Sequence, residues 1–141
     1  MFLVCGSVYS QSNEIMGGSK NPIDTIDVPF AVIEDVPVFP GCEGIPNSEM
    51  RYCFQQQMNV HIRKHFKYPK KSYRQKVQGR VYINFIIGVD GRITNIKARG
   101  PNEDLEQEAI RIIKLLPKMT PGYSNGVAVR VPFSIPITFK L

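Results

Sequence analysis

VAVRVPFSIPITFKL, residues 127–141, alternates without a fault. Val127, Val129, Val131, Phe133, Ile135, Ile137, Phe139 and Leu141 fall on one side, and Ala128, Arg130, Pro132, Ser134, Pro136, Thr138 and Lys140 on the other. A period of two over this length predicts one half-buried β-strand. The prolines say which kind. Residues of one parity aim their N–H groups at the same edge of a strand, and Pro132 and Pro136 share a parity. Both missing donors therefore lie on one edge, while the odd residues keep a complete row for pairing on the other. Proline is tolerated in a sheet only where no neighbour needs its N–H. The chain is therefore expected to end in an edge strand with one open side, and an open edge is a place where a partner peptide docks.

Upstream of that strand, GRVYINFIIGVDGRITNIKAR places Val81, Ile83, Phe85, Ile87 and Val89 on one face of a first strand. Asp90-Gly91 is expected to form a two-residue type I′ turn, because glycine accepts a positive φ. Arg92 to Arg99 returns as a second strand. Its apolar positions, Ile93 against Ile96 and Ala98, change parity, which predicts a bulge. Helical periodicity flanks the hairpin on both sides. Phe54, Met58, Ile62 and Phe66 recur every four residues in a helix expected to be capped by Ser48 and stopped at Tyr68-Pro69. Leu105, Ala109, Ile112 and Leu116 form the stripe of a second helix, with Asp104 and Gln107 as its capping box. Pro117 and Pro121 close that helix and a Gly-rich turn leads to the last strand. Pro29, Pro37 and Pro40 keep Val28 to Gly44 extended. The order helix, hairpin, helix, strand implies an α+β fold: a three-stranded antiparallel sheet, hairpin plus C-terminal edge strand, packed against two helices.

The 141 residues, 43% of them hydrophobic, suffice for a single core. Charge is uneven. Residues 1–49 hold one lysine against seven acids and residues 50–141 hold seventeen Lys/Arg against five, which together make the net +6. A basic half favours acidic partners or is simply a solvated face. No stretch reaches the roughly 18–20 apolar residues of a membrane helix. MFLVCGSVYSQ, residues 1–11, has the apolar character of the end of a secretory signal, with small residues before Gln11 as a cleavage point. Residues 12–32 read as a flexible leader, and 33–141 as the domain.

Few side chains suggest chemistry. His61 and His65 lie four apart with Cys42 and Cys53 upstream, but ten residues between the cysteines far exceed the usual ligand spacing, so no zinc is expected. C-x-x-C, G-x-S-x-G, H-E-x-x-H and phosphate-binding glycine loops are all missing from the sequence, which points away from an enzyme and implies no cofactor. If the chain is exported, Cys42 and Cys53 are expected to pair as a disulfide; two buried thiols are the alternative. Arg63, Lys64, Lys67, Lys70, Lys71, Arg74, Lys76 and Arg80 interleave with Tyr68 and Tyr73, a composition that suits nucleic acid. No nucleic-acid motif surrounds them, and no nucleic-acid partner is expected. Glu103, Asp104, Glu106 and Glu108 crowd the start of the second helix, where its dipole accounts for them.

Five segments in order resemble the C-terminal domain of TonB energy-transducing proteins, over about residues 33–141. They are IEDVPVFPG, Tyr68-Pro69, GRVYINFIIGVDGRITNIKARGP with Asp90-Gly91 at its turn, LEQEAIRIIKLLPKMTPG, and VRVPFSIPITFKL. The resemblance implies a periplasmic domain of a Gram-negative bacterium that couples an inner-membrane proton motor to outer-membrane transporters. It also implies binding of a short transporter segment, the TonB box, as an added strand. Val127 to Phe139 corresponds by position to the receiving strand. The expected contact residues are Arg130, Val131, Pro132, Phe133, Ser134, Ile135, Pro136 and Thr138, with Arg130 steering an acidic guest residue. TonB proteins usually begin with a membrane helix and a Pro-rich spacer, neither of which is present here. Either an anchor lies upstream and reaches the motor proteins, or the domain is free in the periplasm. The Cys42–Cys53 pair is not part of the general family pattern. A self-associating scaffold or homodimer built on the same edge is the alternative function.

Overall fold

The computed structural model describes residues 26–141, so the signal remnant read at residues 1–11 and most of the leader lie outside the described residues. Among the described residues, three helices and five strands follow in the order α1 (Asn47–His65), α2 (Lys70–Arg74), β1 (Gly79–Ile87), β2 (Ile93–Arg99), α3 (Glu103–Lys114), β3 (Gly122–Ser124), β4 (Val127–Val129) and β5 (Val131–Phe139). The main sheet is antiparallel in the order β2-β1-β5, with β5 at its edge as expected. Val81, Ile83, Phe85 and Ile87 of β1 are all buried and meet Val131, Phe133, Ile137 and Phe139 of β5 in one core with α1 and α3. Burying each such side chain is worth roughly 1.5–3 kcal/mol, which is why the alternation decided the fold.

The bulge falls where parity changes. Asn84 faces Lys97 and Ile86 faces Thr94, so β2 carries one extra residue, and Asn95 there has φ 55°. The hairpin turn differs from the expected type I′. Only Gly91 has a positive φ (81°), Asp90 does not, Gly91 N–H donates to Gly88 O and Gly88 N–H to Arg92 O. A type I′ turn needs two residues with positive φ; an ordinary turn followed by one left-handed glycine needs one.

Helix caps also differ from expectation. Pro46, not Ser48, precedes α1, with no side-chain cap. Asn102, not Asp104, caps α3: its Oδ1 accepts from Leu105 N–H at 2.9 Å, while Glu106 reaches back to Gly100 N–H. In α1, Phe54 and Met58 are fully buried as the stripe requires, and His61 joins them, leaving Ile62 and Phe66 partly buried. The second stripe holds, with Leu105, Ala109 and Ile112 fully buried and Ile113 beside them.

Two elements lie where connectors were expected. Lys70–Arg74 forms the short helix α2. The Gly-rich turn after α3 contains β3, which pairs with β4 in a second, two-stranded sheet. Residues 127–141 are therefore two strands and not one: β4 leaves for the small sheet, Val127 is exposed instead of core-facing, and the break falls at Arg130. Asp35 and Val38 bridge to Tyr123 and Thr120, which lays the extended segment across this second sheet. Cys42 and Cys53 are joined by a disulfide that ties the same segment to α1.

A candidate strand-docking edge

The register of β1 against β5 pairs Ile83 with Ile135 and Phe85 with Phe133. The even residues of β5 consequently turn their backbone polar groups outward, away from β1, in agreement with the proline parity. The outer edge is not open along its whole length. Arg130 N–H donates to Ile26 O at 3.0 Å, Val28 N–H donates to Arg130 O at 2.8 Å, and Phe30 N–H donates to Pro132 O at 3.3 Å. Asp27 pairs with Arg130 as a parallel bridge, and its carboxylate stands 3.0 Å from Arg130 Nε. Ala128 is paired with Tyr123 in the small sheet. The expectation that Ala128 and Arg130 lack backbone partners is thereby corrected, and residues 26–30 of the expected leader are part of the folded domain. A segment about a hundred residues upstream carries no local sign of such pairing.

The outward groups of Ser134, Pro136 and Thr138 have no backbone partner among the described residues outside the sheet. Ser134 is exposed and its hydroxyl donates to Asn84 Oδ1. Val131, Phe133 and Ile137 point into the core and Ile135 is half-buried, so they position the edge instead of meeting solvent.

One face of α1 runs beside this edge. Gln55 lies with Phe30, Pro132 and Ser134 along a cleft of about 310 Å³. Further on, Asn59, Ile62, Arg63 and Phe66 face Pro136, Ile137, Thr138 and Lys140 across a cleft of about 530 Å³. The spacing of 55, 59, 62, 63 and 66 is that of a single helix face. The larger cleft has an apolar floor of Ile62, Phe66 and Ile137 and two cations, Arg63 and Lys140, at its rim. It therefore suits an extended chain with an apolar side chain and a negative charge. All eight cations from Arg63 to Arg80 are exposed and are spread over the end of α1, α2 and the start of β1, which is the pattern of a solvated face.

Tyr68-Pro69 supports the far end of β5. Tyr68 packs edge-on against Phe139 with ring centroids 5.7 Å apart, its hydroxyl donates to Val77 O, and Pro69 precedes α2. At the near end Phe30, Phe54 and Phe133 form a mutual cluster with centroids 4.8 to 5.2 Å apart. Arg51 holds this end by donating to the carbonyls of both Phe30 and Ile33.

The histidines are structural in their contacts. His61 Nε2 donates to Ile112 O at 2.8 Å across the α1–α3 contact, and burial holds its pKa below the ordinary histidine value. Both neighbouring cysteines are consumed in the disulfide, and no group of three potential metal ligands occurs among the described residues. Glu108, read as one of several acids at a helix start, does something more specific. It is buried, accepts from Lys67 N–H at 2.9 Å, and is held by Arg111 at 2.7 and 2.8 Å, while Arg111 also donates to His65 O. The pair thus fastens the exit of α1 to α3. Sequence reading missed this because Glu108 differs from its acidic neighbours only in which way it faces.

A small α+β domain with an exposed, proline-bearing edge strand is the class that these features define. The family described as Gram-negative bacterial TonB protein C-terminal matches residues 64–141. This chain belongs to the TonB C-terminal family. The solution structure of the TonB C-terminal domain of Helicobacter pylori, residues 179–285, is similar to it, with 26% sequence identity and a TM-score of 0.51. The match covers 70% of this chain and 86% of that one. Among curated proteins no sequence matches the chain. No helix among the described residues is long and apolar enough to cross a membrane.

Proposed function

We propose that this chain is a periplasmic TonB-type binding domain that engages the TonB box of outer-membrane transporters by strand addition at the outer edge of β5. The observation that supports it most directly is the run Ser134–Thr138, an edge of a half-buried sheet with no outer backbone partner among the described residues and flanked by the α1 cleft. A guest strand there gains backbone hydrogen bonds from the edge and side-chain recognition from the cleft, the usual division of labour in strand addition. Pro132 and Pro136 withhold two donors, which blunts indiscriminate edge-to-edge pairing while leaving acceptors for a guest. In the same reading, a connection to the inner-membrane proton motor lets bound transporters be driven, and the domain works through binding and not through chemistry.

The test is calorimetric titration with synthetic peptides copying the plug N-terminal segments of transporters from the same genome, against the native chain and Ser134→Pro. The substitution removes one outward N–H and spares the ladder to β1. Affinity is expected to fall about tenfold or more, the loss of one well-made hydrogen bond and of edge geometry, with melting little changed. Unchanged affinity in a folded Ser134→Pro variant would put the guest elsewhere. Sedimentation at rising concentration checks the alternative: a dimer that the peptides dissociate would make self-association the use of this edge.

A further inference from the structure

Part of the receiving edge is already bridged by a segment of the same chain. We propose that Ile26–Phe30 acts as a built-in competitor for the outer edge of β5, a strap that must peel from Arg130 before a guest can reach that end of the edge. The inference rests on the reading of this edge as the peptide site and concerns its regulation.

The strap is built like a guest. It supplies two backbone hydrogen bonds at Arg130 and one at Pro132, and its acid pairs with the Arg130 guanidinium. Asp27 therefore occupies the place a negatively charged guest residue would take on Arg130. Its hold is unequal along its length. Ile26 is 45% exposed, Asp27 and Pro29 are exposed, and the ion pair is in contact with water. Phe30, by contrast, is wedged between Phe54 and Phe133, and its carbonyl is held by Arg51. Just beyond it the chain turns away, as Val32 and Ile33 N–H both donate to Pro29 O. The geometry thus makes Phe30 a fixed hinge and Ile26–Pro29 a more weakly held arm, in which only Val28 packs against the core. Opening the arm frees Arg130 for a guest, while Phe30 keeps its bond to Pro132 O between Arg130 and the open run Ser134–Thr138. Closing it confines a guest to that run.

Two measurements test this on the whole chain. Residue-resolved amide exchange of the free protein reads the arm directly. The Val28 and Arg130 amides are expected to exchange through local opening, about a hundredfold or more faster than the amides of the central strand β1. Asp27→Lys, at an exposed position, replaces attraction to Arg130 with repulsion and should speed both amides. It should also raise affinity for the plug-segment peptides about fivefold, the scale of a surface ion pair. If Val28 and Arg130 exchange only as fast as β1, the arm is a fixed part of the fold and the inference fails, whatever the peptides do. If the arm opens but Asp27→Lys leaves peptide affinity unchanged while Ser134→Pro lowers it, the guest uses only the open run. That result overturns the strap and keeps the docking edge. Peptides that bind neither protein would remove the docking edge itself, and the strap's role with it.

Discussion

The carbonyl of Met119 lies where a side chain on Gly91 would begin: a Cβ there would stand 1.7 Å from that oxygen. Gly91 also has φ 81°, and its own carbonyl accepts from Met119 N–H at 3.0 Å. One residue thus turns the hairpin and fastens it to the chain leaving α3. Gly126 has a similar φ of 76° with open space around it, so it isolates the conformational part of the cost. Gly126→Ala is expected to cost about 1 kcal/mol and Gly91→Ala about 3 kcal/mol, because the second adds a backbone collision. Equal losses in urea melts of the two variants would show that the contact with Met119 relaxes freely. His61 makes a second prediction at this scale. Burial lowers its pKa most; the bond to Ile112 O opposes this, while His65 and Lys64 add to the lowering. The folded value lies below the unfolded one of about 6.5, so at low pH the unfolded chain binds the extra proton. The contribution of His61 is therefore complete above pH about 6.5 and declines as pH falls through the lowered folded value. His61→Gln keeps a donor for Ile112 O but cannot titrate, and its stability should fall less than that of the native protein between pH 7 and 5. Parallel stability curves for the two proteins over that interval would exclude a role for this imidazole.

At the scale of elements, legibility followed how much buried surface an element commits. β1 alternates over four fully buried side chains, and α3 repeats over two turns, so both were plain in the sequence. The bulge in β2 was legible for the same reason, since a bulge is a change of parity and parity is visible. β3 has three residues and α2 five, too short for either period to register. The break at Arg130 was hidden because β4 continues the alternation of β5 while pairing in another sheet. Capping was ambiguous because Asn102 and Asp104 are both good caps two residues apart, and tertiary contacts choose between them. The candidate edge was therefore half legible. Its open side followed from the prolines, but its occupied half did not, because nothing local to residues 26–30 names a partner strand so far along the chain.

For the whole molecule, the disulfide decides how the lead-in segment is held. Residues 26–46 contribute Ile33, Val36, Phe39 and Cys42 to the core without forming a helix or a full strand of their own. Their attachment is instead a series of point contacts: bridges to Arg130, Tyr123 and Thr120, the Arg51 donations, and the covalent bond from Cys42 to Cys53. A cross-link over a sequence separation of 11 restricts the unfolded chain, and closing a loop of that size is worth about 3 kcal/mol in the chain-entropy account. Cys42 is fully buried and Cys53 partly so, which limits a reductant's access to the bond. Dithiothreitol should therefore reduce the native protein slowly, and alkylation without reductant should leave both residues unlabelled in the intact mass. Once reduced, or in a Cys42→Ala, Cys53→Ala variant, the melting temperature is expected to fall by about 10 °C. The strap shares this attachment, since Phe30 is anchored to the same helix that carries Cys53. Loss of the disulfide should consequently accelerate amide exchange at Val28 and Arg130 more than in β1. A uniform acceleration, tracking global stability alone, would mean that the bond stabilises the fold without governing the arm.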